Sequence, residues 1–409
     1  MQKIWIVLLV FILALPPVAA QEGAESLIED LLQELPEDQD NYQYSQWMED
    51  LQAYLQNPIN INTAGRQQLA GLHVLSDYQI NQILDYRESY GALISIYEFL
   101  AIDGIDKALA MKLKPFLAFT AAREDDLRLK YAWRYGGHDL FLRAEGTVEQ
   151  PVGYREEDGY PGNRMKYYTR YQYNYQRRIQ MGLVAEKDPG EQFFAGAQSA
   201  GFDYYAAHLE LTDIGPFNTI VAGDFQGQFG QGLVLSSGFR NGKSPYVLNT
   251  SKQVQGLSKY SSTNENQFFR GAGFVASWQD WQLTAFASRK RVDANIEGDS
   301  LVASLPNTGI HATASQVERK DALQESVVGG QLNWHGQWLK TGASVVASRF
   351  ELPLAGPAEG ETQEYDVDGS TSLNAGIHYR STLRQMHFYG ETAINRNKAW
   401  ATVNGVLLP

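Results

Sequence analysis

The sequence contains no cysteine among its 409 residues. This absence excludes disulfide bonds, Cys-ligated zinc and iron–sulfur sites, a thiol nucleophile and a lipid-modified cysteine anchor. Basic side chains are also scarce, because 34 Lys and Arg face 47 Asp and Glu, which gives a formal net charge of -13. The chain as a whole therefore does not present a polyanion-binding surface, and any contact with nucleic acid must be local.

Signals of catalysis are missing as well. The seven histidines are scattered without metal-ligand spacing, and no Gly-x-Ser-x-Gly elbow or isolated carboxylate pair stands out. The triplet Gly242–Ser244 resembles the end of a phosphate loop, but position 237, where the leading glycine belongs, is Ser237. We therefore expect no catalytic residue, no metal site and no cofactor.

Long apolar runs are absent except at the start of the chain. Lys3 precedes the apolar run Ile4–Leu15, and small residues follow at Val18–Ala20. This order is typical of a secretory signal peptide over residues 1–20. The alternative is a membrane anchor, but the run is shorter than the ~20 residues that a spanning helix needs. We expect export.

Residues 21–56 carry ten acidic side chains and no basic one. Leucines recur at helical spacing up to Pro36, and a second apolar stripe follows around Trp47–Leu55, so the pattern predicts two short amphipathic helices. The acidic face is either solvated, as charge runs usually are, or docks a basic partner.

The pattern of residues 57–120 predicts a compact helical module. Asn62 and Thr63 are placed to cap a first helix, Gly91 is placed to end a second, and Ser95 with Glu98 forms a capping-box pattern that opens a third. A last helix precedes Pro115. The pattern predicts four helices in two helix-turn-helix pairs.

The order of motifs in this module carries a resemblance to a known family. Ile59–Ala64 reads I-N-I-N-T-A, Ile83–Arg87 reads I-L-D-Y-R with Gly91 after it, and Ile102–Ile105 reads I-D-G-I. Over about sixty residues this resembles the tandem helix-hairpin-helix domain of competence-type DNA-uptake receptors, the ComEA family. The resemblance implies hairpins whose glycines let backbone amides approach DNA phosphates without reading sequence.

The hairpins depart from the family pattern where that chemistry lies. Val74 and Ser76 occupy the glycine positions of the first hairpin, and the second keeps only Gly104. Residues 57–120 contain five basic and six acidic side chains, so we expect weak DNA affinity at most. The DNA-backbone candidates are at the second hairpin: Gly104, Ile105, Lys107, Lys112 and Lys114. The alternative is a protein-docking or spacer module.

From about residue 121 to 409 apolar and polar residues alternate over ~10-residue spans, as in strands with one apolar face. About a dozen strands are predicted, among them His138–Gln150 and Met165–Gln176. Their length and aromatic content favour an outer-membrane β-barrel over a soluble sandwich or propeller, since no blade-length repeat is visible. We therefore expect an α+β multidomain fold, in which a small all-α domain precedes a Gly- and Tyr-rich antiparallel barrel.

One stretch of the predicted barrel, residues 223–266, does not alternate. Its glycine density predicts a folded-in plug or loop. The expected polar contacts of this plug are those of Arg240, Lys243, Glu265 and Arg270.

The whole chain resembles bacterial outer-membrane proteins that contain a helix-hairpin-helix domain. Phe229–Leu233 (F-G-Q-G-L) and Phe268–Gly271 (F-F-R-G) carry this resemblance in the barrel region. It implies outer-membrane lipid as surroundings. We expect a periplasmic N-terminal domain, because barrel termini in this class lie at the short-turn face. For the function we expect either weak, sequence-independent binding or uptake of double-stranded DNA, or transport or scaffolding with a periplasmic protein partner. Because the chain stops at Pro409 without a terminal aromatic residue, we also expect the barrel to be truncated.

Overall fold

A computed structural model describes residues 51–52, 54–55, 58–72, 74–120, 132, 134–149, 151–154, 159–176, 178–237, 256–298, 300–355, 369–383 and 386–408. Contacts divide them into a helical unit that ends by Ala122 and a strand unit from Arg123 onward. The predicted signal peptide, residues 1–20, and all of the acidic segment except four residues lie outside the described residues. Among the described helices, none has the length and apolar character that crossing a membrane requires.

Over its described residues from Pro58 to Thr120, the helical unit contains four α-helices and two short strands. They are β1 (Ile59–Asn60), α1 (Arg66–Ala70), α2 (Asp77–Tyr90), α3 (Ile96–Phe99), α4 (Lys107–Leu113) and β2 (Leu117–Ala118). Strands β1 and β2 pair in parallel, so the beginning and the end of the unit are held side by side. The core is made of fully buried aliphatic and aromatic side chains, including Leu69, Leu72, Ile83, Phe99 and Leu113.

Local capping explains where α2 ends and where α4 begins. Gly91 ends α2 with φ +90°, and its amide donates to the carbonyl of Arg87, as predicted. Asp106 caps α4 by accepting from the amide of Leu109 at 2.7 Å. The predicted capping box at Ser95 is wrong, because Ser95 makes no side-chain cap and Glu98 accepts instead from the amide of Ile94.

Fifteen strands form one sheet in the described part of the strand unit, and one short helix, α5 (Ala314–Arg319), lies between them. The strands are β3 (Gly137–Gly146), β4 (Met165–Tyr175), β5 (Ile179–Lys187), β6 (Tyr204–Ile214), β7 (Phe217–Gln228), β8 (Gly256–Lys259), β9 (Phe269–Trp278), β10 (Trp281–Val292), β11 (Asn295–Glu297), β12 (Leu301–Ser304), β13 (Leu323–His335), β14 (Leu339–Leu354), β15 (Gly369–Leu383), β16 (Met386–Asn395) and β17 (Trp400–Leu407). The main path runs 17-16-15-14-13-10-9-7-6-5-4-3, with antiparallel neighbours throughout. The prediction of a small helical domain followed by a large antiparallel strand region is confirmed.

Connections differ in length between the two ends of the sheet. At one end the strands turn within two or three residues, as at 215–216, 279–280 and 336–338. At the other end the connections include 147–164, 188–203 and 293–322. Strand β3 begins and β17 finishes at the short-connection end, since each pairs antiparallel with a strand that runs the other way.

Side chains alternate between two chemically different faces. On β13, Val327, Gln331 and Asn333 are buried, whereas Val328 and Leu332 between them are exposed. The buried face carries the core, whose members come from seven strands and the segment after β7: Val221, Phe225, Phe229, Val234, Leu235, Leu257, Phe269, Val275, Phe286, Val327, Val346 and Ala393. The inner face is therefore packed, and large apolar side chains point outward.

The segments that fill this inner face are residues 229–237 and 260–268, which we call the plug. The predicted plug of residues 223–266 starts too early, because Gly223–Gln228 complete strand β7 and Gly256–Lys259 form β8. Glycines at these positions do not interrupt the ladder, since Gly223 still pairs with His208 on β6. Residues 238–255 lie outside the described residues.

The sheet must curve around the plug. Gln231, three residues after β7 ends, donates its amide to Glu391 on β16 at 2.5 Å. Six steps separate β7 from β16 in the strand order, which is about 29 Å in a flat sheet at ~4.8 Å a step, whereas three residues extend no further than ~11 Å. The short reach of the chain therefore requires a strongly curved sheet.

Candidate functional site

The second hairpin of the helical unit holds the predicted DNA-backbone residues. Gly104 has φ +79°, and a Cβ added there would lie 2.6 Å from the ring of Tyr78, so glycine is required on both counts. The amide of Ile105 already donates to the carbonyl of Ile102 at 3.1 Å. Within the described part of the chain the amide of Gly104 has no acceptor, so Gly104 is the better placed of the two for a phosphate.

The three candidate lysines lie on and just after α4. Lys107 and Lys114 are exposed and Lys112 is half-buried. Two carboxylates flank the hairpin: Asp103 accepts from the hydroxyl of Tyr78, and Asp106 caps α4. The structure thus places the three lysines on one short helix and at its end, with acidic groups beside the glycine.

The first hairpin uses its amides internally. The hydroxyl of Ser76 accepts from the amide of Gln79 at 3.2 Å, and the side chain of Gln79 accepts from the amide of Ser76 at 2.8 Å. Gln79 also donates to the carbonyl of Gly104 at 2.8 Å and so links the two hairpins. Ser76 and Gln79 therefore form a capping box at the start of α2.

The residues that carry the family resemblance hold the module together. Asn62, predicted as a helix cap, instead receives a hydrogen bond from the amide of Leu93 and donates to its carbonyl, at 2.7 and 2.8 Å. Arg87 donates to the carbonyls of Ile61 and Ala64 at 3.1 and 2.5 Å. Both contacts join segments more than twenty residues apart, so these motif positions have a structural role.

The plug is anchored by a residue that the sequence did not indicate. The carboxylate of Glu391 is 1% exposed and accepts from the amides of Gln231, Leu233 and Val234 at 2.5, 3.1 and 3.2 Å. Gly230 turns the chain here with φ +52°. Two amides of the F-G-Q-G-L stretch and that of the following Val234 thus share one carboxylate.

Of the four predicted plug contacts, Arg240 and Lys243 lie outside the described residues. Glu265 lies in the plug, beside Gly309 of the 293–322 connection. Arg270 is not in the plug: it belongs to β9, on the face opposite to Phe269. Its hydrogen bonds are therefore made with strands, although its guanidinium also lies 5.2 Å from the centre of the Phe268 ring in the plug.

Arg270 instead closes a seam between β6 and β7. Residues 204–207 of β6 have no partner on β7, because the pairing stops at His208 and Gly223. Asp224 accepts from the amide of Ala207 at 2.9 Å, and Arg270 donates to the carbonyl of Tyr205 at 2.9 Å. The guanidinium also binds both carboxylate oxygens of Asp224, at 2.7 and 3.1 Å. The pair therefore replaces missing ladder hydrogen bonds.

A buried charged cluster joins the long connections at the end of the sheet opposite to the short turns. We call it the rim cluster, and its members are Glu191, Asp203, Glu265, Asp293, His311 and Lys320. The ring nitrogens of His311 lie 2.6 Å from Asp203 and 2.8 Å from Asp293, and Lys320 lies 2.7 Å from Asp203. Glu191 accepts from the amide of His311 at 2.8 Å. The 293–322 connection is thereby tied to the 188–203 connection.

Burial and neighbouring charges shift the protonation of this rim cluster. Burial, reinforced by the charge of Asp203, raises the pKa of Glu191 to about 7 and that of Glu265 to about 9. Although burial alone would lower it, hydrogen bonds with Asp203 and Asp293 raise the pKa of His311 to about 10. At neutral pH, His311 is therefore an imidazolium and Glu265 is a neutral acid.

These shifts predict that stability falls as pH rises. A carboxyl group whose pKa is raised in the folded protein destabilises the fold once the same group ionises in the unfolded chain. The loss of stability that Glu191 and Glu265 cause therefore begins near pH 4.5 and is complete near pH 7 and pH 9, respectively. His311 stabilises fully below about pH 6.5 and loses this contribution as pH rises to about 10, in the same direction. We expect the thermal midpoint, measured in metal-free buffer, to fall between pH 5 and pH 9. Glu265→Gln should flatten the fall, whereas Glu145→Gln on exposed β3 should not; equal slopes would contradict the assignment.

Comparisons with known proteins agree with part of this description. No curated protein matches the chain. One solved structure to which it is similar is OmpT, an outer membrane protein of Vibrio cholerae folded in vitro, in its trimer form, at 10% identity and TM-score 0.23, covering 66% of this chain and 82% of that one. A TM-score this low does not establish a shared fold. Residues 56–118 match the family described as helix-hairpin-helix motif, so the chain contains a helix-hairpin-helix domain.

Proposed function

We propose that the protein is an outer-membrane β-barrel protein whose helix-hairpin-helix domain lies in the periplasm. The observation that carries this proposal is the apolar outward face of the sheet. Leu332, Val345 and Ile377 are exposed at mid-strand on three neighbouring strands. Exposed tryptophans follow at the short-connection end: Trp278, Trp281 and Trp338. An apolar band bordered by aromatic residues is what the outer surface of a membrane barrel needs.

The two ends of the sheet support the proposed orientation. Barrels of this class have short periplasmic turns and longer extracellular loops. The chain enters β3 at the short-connection end, which favours a periplasmic position for what precedes it. Fractionation of the tagged full chain tests the proposal: we expect recovery with the outer membrane and heat-modifiable gel mobility. Recovery from the soluble periplasm with heat-insensitive mobility would refute it.

For the helical domain, we propose weak, sequence-independent binding of the DNA backbone at the second hairpin. Support comes from the family match, the amide of Gly104 and the exposed Lys107 and Lys114. Asp103 and Asp106 beside the hairpin, and the capped amides of the first hairpin, explain why the binding should be weak.

Charge variants of the full chain in detergent test this binding with a short DNA duplex. Lys107→Gln with Lys114→Gln should remove most of the affinity and reduce the salt slope by about 2, because each phosphate contact contributes ~0.9 to it. Asp106→Asn keeps a helix-capping side chain while removing a negative charge, so it should strengthen binding. Arg396→Gln with Lys398→Gln, an equal charge change at an exposed turn of the other unit, is the control. If the lysine pair and the control behave alike, the hairpin is not the DNA site.

A second candidate function is docking of a periplasmic protein. Tyr90, Ile94 and Tyr97 are 79%, 77% and 76% exposed on the helical unit, at and between the ends of α2 and α3. Exposed aromatic and aliphatic side chains grouped in this way favour a protein contact. Tyr90→Ser with Tyr97→Ser should then abolish binding of the periplasmic protein in cells while leaving DNA affinity unchanged. Loss of DNA affinity in this variant would assign the patch to DNA instead.

A further inference from the structure

The rim cluster brings together three side chains of the kind that hold transition metals. Glu191 follows β5, Asp203 precedes β6, and His311 comes from the connection between β12 and α5. One donor atom from each lies within 4.8 Å of the others. The residues are 1%, 8% and 3% exposed. We propose that Glu191, Asp203 and His311 form a binding site for a divalent transition-metal ion.

The side chains are already oriented for this role. The Nε2 atom of His311 lies 2.8 Å from Asp293, which leaves Nδ1 directed at Asp203. The two oxygens of Glu191 accept from the amides of Asp188 and His311 at 2.7 and 2.8 Å, which fixes the carboxylate. A ligating histidine commonly has a carboxylate on its other nitrogen, and Asp293 is placed to be that group.

The balance of charge also favours a cation. Four carboxyl groups face one another here, those of Glu191, Asp203, Asp293 and Glu265, and the bases among them are His311 and Lys320. Burying more carboxylates than cations is unfavourable unless protons or a metal ion neutralise them, and in the metal-free protein a proton on Glu265 does part of this. A divalent ion would supply two charges at the place where the carboxylates converge.

A cavity of about 270 Å³ is lined by His311 but not by Glu191 or Asp203, so an ion would reach the cluster past the His311 ring. His311 and Asp293 form one side, and Gln316, Arg319 and Thr308 lie elsewhere on its wall. This volume holds several water molecules, which would complete a coordination shell that has three protein ligands. An access route of this kind is one of the requirements for a usable metal site.

The donor types select the class of ion. One imidazole nitrogen and two carboxylate oxygens suit Zn²⁺ and its first-row neighbours, whereas Ca²⁺ and Mg²⁺ prefer oxygen alone. The ion would replace the proton between His311 and Asp203, so that proton is released to solvent on binding. Lys320 competes for Asp203 in the metal-free state, since it lies 2.7 Å from the carboxylate.

The test is calorimetric titration of the chelator-treated full chain in detergent with ZnCl₂. We expect one saturable equivalent and proton release, seen as different heats in buffers of different ionisation enthalpy. His311→Ala or Glu191→Gln should abolish the site, and Asp293→Asn should weaken it by about tenfold or more, as the loss of a group that orients a ligand does. His138→Ala, on exposed β3, is the control and should bind as the wild type does.

Two further measurements keep the test decisive where a variant fails to fold. Lys320→Gln should bind zinc more tightly than the wild type, because it removes the competitor for Asp203. Cobalt titration should give visible absorption bands in the wild type and not in Glu191→Gln. If the wild type takes up no more zinc than His311→Ala, or Lys320→Gln gains no affinity, the cluster is a metal-free ion-pair network and the proposal is wrong.

Discussion

Replacing Glu391 with alanine is expected to release the plug from β16 and to lower the free energy of unfolding by roughly 3–9 kcal/mol, because each buried amide left without an acceptor costs about 1–3 kcal/mol. Three amides would lose their acceptor, those of Gln231, Leu233 and Val234. Glu391→Gln should cost less, since one carbonyl oxygen remains. Thermal or chemical unfolding of the full chain in detergent measures the change.

Trypsin provides a local readout of the same prediction. Arg240, Lys243 and Lys252 lie between the two plug segments, so release of the plug should speed cleavage there in Glu391→Ala. Thr392→Val, at the neighbouring exposed position of β16, is the matched control and should be cleaved at the wild-type rate. If cleavage is equally slow in all three proteins, the amide contacts with Glu391 do not hold the plug.

Asp224→Ala is expected to destabilise the sheet by roughly 2–4 kcal/mol, a little below the ~3–5 kcal/mol of a fully buried broken ion pair. The substitution removes the acceptor for the amide of Ala207 and the partner of Arg270. The side chain of Asp224 is 2% exposed, whereas that of Arg270 is 47% exposed, so solvent will offset part of the loss on the arginine side. In a lipid environment the unpaired backbone of β6 would add to the cost.

A double-mutant cycle separates the pair from the backbone contacts. Asp224→Ala with Arg270→Met should lose less than the sum of the single changes, because no unpartnered charge remains. Arg289→Met, another exposed arginine on a neighbouring strand, is the control for the loss of positive charge. Strict additivity of the two single changes would contradict a coupled pair.

The alternation of residues was sufficient to predict the strands, because one face of each strand packs on the core and the other does not. His138–Gln150 and Met165–Gln176 differ from β3 and β4 by no more than four residues at either end. The plug was predicted from glycine density but began six residues late in the structure, at Phe229. Glycines in a strand and glycines in a loop look alike in sequence, and pairing partners distinguish them.

The candidate sites were less accessible to sequence reasoning. The hairpin residues were predicted because the motif is local, and the glycine requirement at Gly104 follows from one φ angle and one ring. Glu391 is an ordinary polar residue of an alternating strand by its sequence, and His311 lies 108 residues from Asp203 and 120 residues from Glu191. Only the folded sheet brings such residues together, so no spacing rule could have indicated them.

The contact between the plug and Glu391 also constrains the order in which the chain can fold. The bonded atoms lie 157 to 160 residues apart in sequence. Closing so long a loop is slow, and its entropy must be offset by contacts that form earlier. Strand β16 must be added before the amides after β7 find their acceptor. During synthesis and folding the plug amides would therefore stay hydrated longest, and the interior would become dry only in the last stage of assembly.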